Sequence, residues 1–127
     1  MKGTRTMDAV LKQWPIKLRD ISIVAPYFHR ASLLIAADCA AYAYPAFHGR
    51  LTEGKTLVIT CPCNEALLHD RVRNILVYND ILDVTLVKVS SDCCAVFPVA
   101  VMNAIKNSGK DIPLRMMTVF PDGEVVD

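Results

Sequence analysis

The residues able to do chemistry near neutral pH in this 127-residue chain are five cysteines and three histidines. The cysteines are grouped: Cys39 stands alone, Cys61 and Cys63 flank Pro62, and Cys93 and Cys94 are adjacent. Thiolates are soft ligands suited to zinc and to iron–sulfur clusters, and they are also the working groups of thiol–disulfide exchange. An odd count leaves one thiol over in any disulfide framework, so metal or redox chemistry is the expected use. Neither pair has the C-x-x-C spacing, so neither alone specifies a metal. His48 follows Cys39 in a segment holding Tyr42, Tyr44 and Phe47, where an imidazole could hydrogen-bond a cluster sulfur or take a fourth position on zinc. His69 falls on the polar face of a helical stretch and reads as solvated, while His29 precedes the first strand and reads as structural. Asp38 and Asp92 each stand immediately before a thiol, where turn capping is the common use of a carboxylate.

Four apolar runs must position the thiols. Residues 32–37 (SLLIAA), 56–60 (TLVIT) and 84–89 (VTLVKV) are short, continuous and rich in β-branched or aliphatic side chains, and 112–120 is a fourth, closed by the turn signal Pro121-Asp122-Gly123. Strands buried on both faces belong to a parallel sheet, whose neighbours need crossovers of about a dozen residues. The intervening segments supply them. Asn64 is a plausible N-cap for a helix over 65–78 that puts Leu68, Val72, Ile75 and Leu76 on one face. Pro98 suits a first turn, 99–105 is almost wholly apolar, and Gly109 stands where a helix wants a left-handed residue. The 39–54 connection is irregular, with a short helix expected around 47–53. The expected fold is α/β: three layers, a mostly parallel four-stranded sheet with helices on both faces, Rossmann-like. Residues 1–127 read as one domain, with 1–20 as an N-terminal strap or edge segment.

On this reading the first three strands end in Cys39, in Cys61 with Cys63, and in Cys93 with Cys94. The carboxyl ends of parallel strands form the crevice where ligands bind, and adjacent strands lie roughly 4.8 Å apart, so thiols from three neighbours can converge there. The helices that follow aim their positive ends at the same edge and favour thiolates. Cysteine also serves as a small hydrophobe, but filler would not be confined to strand ends. Zinc knuckles commonly staple small loops, whereas this chain can build its own core, which tips the expectation to a cluster with zinc as the alternative. Thiol–disulfide exchange through Cys61/Cys63 or Cys93/Cys94 is a third reading, ranked lower because adjacent cysteines close a strained ring.

The balance of 14 basic against 13 acidic residues provides no field for nucleic acid or an anionic membrane surface. No run approaches the roughly 18 apolar residues of a membrane span, and 1–20 has no apolar signal core, which points to a cytoplasmic protein. With 53% hydrophobic and 21% charged residues, the apolar excess leaves room for a homo-oligomer. No Gly-x-Gly-x-x-Gly, Walker loop, H-E-x-x-H or nucleophile elbow is present, so neither dinucleotide binding nor hydrolysis is indicated.

The run from Ala36 to His48 (AADCAAYAYPAFH), followed by Val58-Ile59-Thr60-Cys61-Pro62 and by Cys93-Cys94, resembles the cysteine-containing domain attached to bacterial and archaeal ferredoxin-like, iron–sulfur-binding proteins. Trp14-Pro15-Ile16-Lys17-Leu18 and Ala25-Pro26-Tyr27-Phe28 resemble that family's lead-in, so the likeness runs from about Trp14 to Cys94. The resemblance implies an iron–sulfur cluster, of 4Fe-4S type, on Cys39, Cys61, Cys93 and Cys94, with Cys63 an extra thiol. It implies electron transfer or redox sensing with a redox partner protein or ferredoxin. Such relatives carry a ferredoxin segment ahead of this domain, which does not precede Trp14 here. Ala95 and Val96 follow the Cys-Cys pair where the family tends to have glycine, and Cys63 replaces a lysine-like residue.

Overall fold

The computed structural model describes Gly3 and residues 9–127, with the side chain of Cys93 outside the described set. The strands are β1 (Ala31–Ala37), β2 (Thr56–Thr60), β3 (Ile81–Val89), β4 (Leu114–Val119) and β5 (Val125–Val126), in the spatial order β2-β1-β3-β4-β5. The first four are parallel, and β5 runs antiparallel to β4. The sheet therefore has five strands rather than the expected four. The turn signal after β4 does more than end it. Gly123, at φ 92°, donates to the Phe120 carbonyl at 2.9 Å, Phe120 donates to Glu124 at 2.8 Å, and the chain reverses into a hairpin.

The helices are α1 (Ala40–Ala43), α2 (Leu68–Tyr78) and α3 (Phe97–Ser108), with one π-type turn over His48–Thr52 where a short helix is expected. Their placement follows from strand order. The steps β2 to β3 and β3 to β4 go in one direction across the sheet, so right-handed crossovers put α2 and α3 on one face. The step β1 to β2 goes the other way and covers the opposite face. Alternation along β1 feeds both layers. Leu33, Ile35 and Ala37 face α2 and α3 with Val72, Ile75, Phe97 and Val101, whereas Leu34 and Ala36 face Ala40, Phe47 and Leu51. That double burial is why β1 reads as an unbroken apolar run. Among the described residues the second face carries the one-turn α1, the π-type turn and part of the N-terminal segment, not a long helix.

The N-terminal segment crosses the outer edge of β2. Leu18 donates to Ile59 O at 2.9 Å, Ile59 donates to Ile16 O at 2.8 Å, and Lys17 forms a parallel bridge with Ile59. Arg71 on α2 fastens it, with Nε donating to Leu18 O at 2.8 Å and Nη2 to Ile21 O at 2.9 Å. α3 ends as its sequence predicts, Gly109 adopting φ 75° beyond Ser108. α2 starts later than expected, with Leu67 rather than Asn64 at its N-cap. The Asn64 backbone N–H is taken up in a turn to Cys61 O at 3.0 Å, and its side chain reaches back to the Cys61 sulfur. His69 is half-buried rather than solvated, meeting Asp70 beside it on α2 at 2.9 Å and joining α2 to α3 through Asn107 at 2.9 Å.

Candidate functional site

Connections leave β1 and β3 toward opposite faces, so the carboxyl edge between these neighbours is the topological switch point of the sheet. Register sets the cysteine positions there. Ala37 lies opposite Thr60, and Asp38 donates to Thr60 O at 3.0 Å, so Cys39 and Cys61 leave adjoining strands at one level. Ala36 lies opposite Val87, and beyond Val89 a tight turn carries Cys94, whose N–H donates to Ser91 O at 3.0 Å. The strand ends thus gather three cysteine-bearing segments along one edge.

The described side chains face different surroundings at that edge. Cys39, exposed at the N-cap of α1, lines a pocket of about 220 Å³ with Val89, Ser90 and Pro121. Cys61 is half-buried in a pocket of about 160 Å³ whose walls include Lys17, Arg19, Asp38 and Glu65. Its sulfur accepts from Asn64 Nδ2 at 3.7 Å. Arg19 braces this wall, donating to Asn64 O at 3.2 Å and lying 3.8 Å from the Glu65 carboxylate. Cys63 is exposed, and Cys94 is buried in the layer formed with α2 and α3. The Cys93 side chain, expected as a ligand, lies outside the described residues. His48 is exposed, sets its ring edge-on to Phe47 at 5.7 Å, and lines a third pocket of about 340 Å³ with Asp38 and Tyr42. Asp38 therefore borders two of the three pockets. Among the described residues no three His, Cys, Asp or Glu side chains lie close enough together to hold a metal ion.

Two features of the edge are not in the sequence reading. One is the Asn64 amide on Cys61. The other is that α2 and α3 both begin here with apolar N-caps, Leu67 and Val96, which are 54% and 58% exposed and provide no side-chain cap. N-caps are normally Ser, Thr, Asp or Asn; here the capping is done upstream, Glu65 Oε1 accepting from the Leu67 N–H at 3.2 Å and α3 continuing from the Asp92–Cys94 turn, where Ala95 donates to Asp92 O at 3.0 Å. The signal available in sequence was an aliphatic residue at each helix start.

Residues 25–127 match the family model described as Rossmann-like domain. The chain belongs to that family. An uncharacterized protein of Archaeoglobus fulgidus is 29% identical to this Rossmann-like chain over 118 residues, covering 91% of this chain and 82% of the relative. No solved structure matches. Among the described residues, no helix of the Rossmann-like domain is long and apolar enough to cross a membrane. No glycine-rich phosphate loop follows its first strand, and family membership describes the scaffold alone.

Proposed function

We propose that this protein binds an iron–sulfur cluster at the carboxyl edge of its sheet, with Cys39, Cys61, Cys93 and Cys94 as ligands. The observation that carries the reading is that three adjacent parallel strands each pass directly into a cysteine-bearing segment at the switch point. The donor chemistry fits, because thiols are the ligands such clusters take. The N-terminal ends of α2 and α3 lie at the same edge, and helix N-termini favour negative charge such as that of a cluster held by four thiolates. The hydrogen bond from Asn64 to the Cys61 sulfur is of the kind that tunes a cluster's potential. A bound cluster supplies one-electron transfer, serving either a redox partner protein or a sensing role. The protein's own part is to hold the sulfurs, orient Cys61 through Asn64, and shield the site with Phe47 and the α2/α3 layer.

The test is anaerobic purification of the full chain, reconstitution with iron and sulfide, and measurement of iron, acid-labile sulfide and visible absorption. Serine at 39, 61, 93 or 94 is expected to lower iron content severalfold, while Cys63→Ser and His48→Ala retain it. A colourless protein without iron after reconstitution would overturn the reading. Stoichiometric zinc lost on Cys61→Ser would replace it with a zinc-binding module. Loss of two thiols on oxidation, with no metal required, would replace it with thiol–disulfide exchange at Cys61/Cys63 or Cys93/Cys94.

A further inference from the structure

Away from the carboxyl edge, the second residue of β4 carries a carboxylate grip. Arg115 donates from Nε to Asp127 Oδ1 at 2.9 Å and from Nη2 to Asp127 Oδ2 at 2.6 Å, the bidentate fork by which arginine recognises carboxylate and phosphate. Alternation along β4 puts Arg115 on the same sheet face as Met117 and Val119, beneath the π-type turn. A pocket of about 260 Å³ opens there, lined by Tyr44, Arg50, Leu51, Arg115 and Met117. Leu51 and Met117 make a buried apolar floor, and Arg50 is exposed and forms no ion pair among the described residues. The neighbouring charges are already engaged. Lys55 Nζ donates to Leu51 O at 3.0 Å, and Asp83 accepts from the Ser32 hydroxyl at 2.9 Å. The pocket therefore presents two guanidinium groups, of which the Asp127 side-chain carboxylate engages that of Arg115.

We infer that Arg50 and Arg115 form a binding site for a small dianionic oxyanion, a phosphate group or a dicarboxylate, with Asp127 occupying the Arg115 fork as an internal competitor. Asp127 shows the geometry by which Arg115 takes an oxyanion. Arg50 supplies the charge that one carboxylate leaves unmatched, and the Tyr44 hydroxyl offers a further donor. This site is independent of the cluster reading.

Isothermal titration of the full chain with inorganic phosphate and, separately, with succinate in low-chloride buffer tests it. Saturable binding of either anion is expected, and the better of the two names the class. Arg50→Ala and Arg115→Ala should each weaken binding by about tenfold or more, as loss of a charge-assisted hydrogen bond implies. Asp127→Asn should tighten it, by no more than about fivefold, the ceiling for displacing an exposed ion pair. Arg50→Lys and Arg115→Lys keep the charge, lose the fork, and give intermediate weakening if either alanine variant fails to fold. The proposal is overturned by absence of saturable binding at millimolar anion, by binding that neither arginine variant alters, or by an Asp127→Asn variant that folds normally and binds no tighter.

Discussion

Replacing Arg71 by alanine should loosen the wall of the Cys61 pocket and destabilise the whole domain. The side chain makes two charge-assisted hydrogen bonds, 2.8 Å to Leu18 O and 2.9 Å to Ile21 O, and both residues it holds are in the core, at 0% and 4% exposure. Bonds to charged donors contribute about 1.5–3 kcal/mol each, and removing the donor strands both carbonyls, though water entering the gap recovers part of the loss. A cost of about 2–4 kcal/mol follows, or roughly 10 °C in Tm for a domain of this size. Urea and thermal unfolding measure the total. Hydrogen exchange locates it, because the Leu18 and Ile59 amides, which bond across the edge of β2, should lose protection before the amides of β1 and β3. Arg71→Lys, which replaces the two donating nitrogens by one, should lose about half as much. Since Lys17, Leu18 and Arg19 form one wall of the Cys61 pocket, iron loading should fall with the protection. A variant within about 0.5 kcal/mol of wild type, or one with Leu18 and Ile59 still protected, would refute the reasoning.

Truncating Ile35, fully buried in the middle of β1, to alanine should cost about 2–5 kcal/mol in urea unfolding, because both the helices above it and the strands beside it limit collapse into the cavity. Gly109→Ala should cost about 1 kcal/mol, since the residue sits at φ 75° and a Cβ there meets no clash, so the penalty is conformational. The hydrogen bond from His69 holds the Asp70 carboxyl below its ordinary range, with the charge of Arg73 assisting, so His69→Ala should move the Asp70 titration upward in a carboxyl NMR experiment. A depressed carboxyl stabilises the fold above its unfolded value and loses that contribution as pH falls through the folded value. The stability difference between wild type and Asp70→Asn should accordingly be present near neutrality and vanish in acid below the carboxylate range.

The parallel strands were legible because β1 and β2 are buried on both faces and therefore carry no polar alternation to confuse them with hairpin strands. β2 runs over the very residues, Thr56–Thr60, that its β-branched run marks. α3 was legible from its ends, Pro98 and Gly109, whose backbone preferences are independent of tertiary context. β5 was not, since two valines after a turn carry no period, and their pairing depends on β4 offering an open edge. Asn64 was misassigned because a capping residue and a turn residue have the same chemistry. Its choice of the Cys61 sulfur over a helix N–H is decided by the turn that follows β2. At the site, strand order converts sequence-distant cysteines into neighbours along an edge, which periodicity could predict. Which way each thiol then points is set by local turns, and here Cys39 and Cys94 take opposite layers.

The starts of α2 and α3 bear on how the edge is built. Leu67 and Val96 stand at the same end of the sheet and are more than half exposed, so packing does not account for them. Neither has the extended backbone of a capping residue, and each helix is entered instead through a turn that is already hydrogen-bonded. Glu65 Oε1 accepts from the Leu67 N–H at 3.2 Å, and the Asp92–Cys94 turn leads into α3 with Ala95 donating to Asp92 O at 3.0 Å. The bonds that start the helices therefore also hold the backbone that follows Cys63 and carries Cys94. The Glu65 carboxylate answers the positive end of α2, so stability there rests on the loop after β2, whereas core changes such as Ile35→Ala act on the whole sheet.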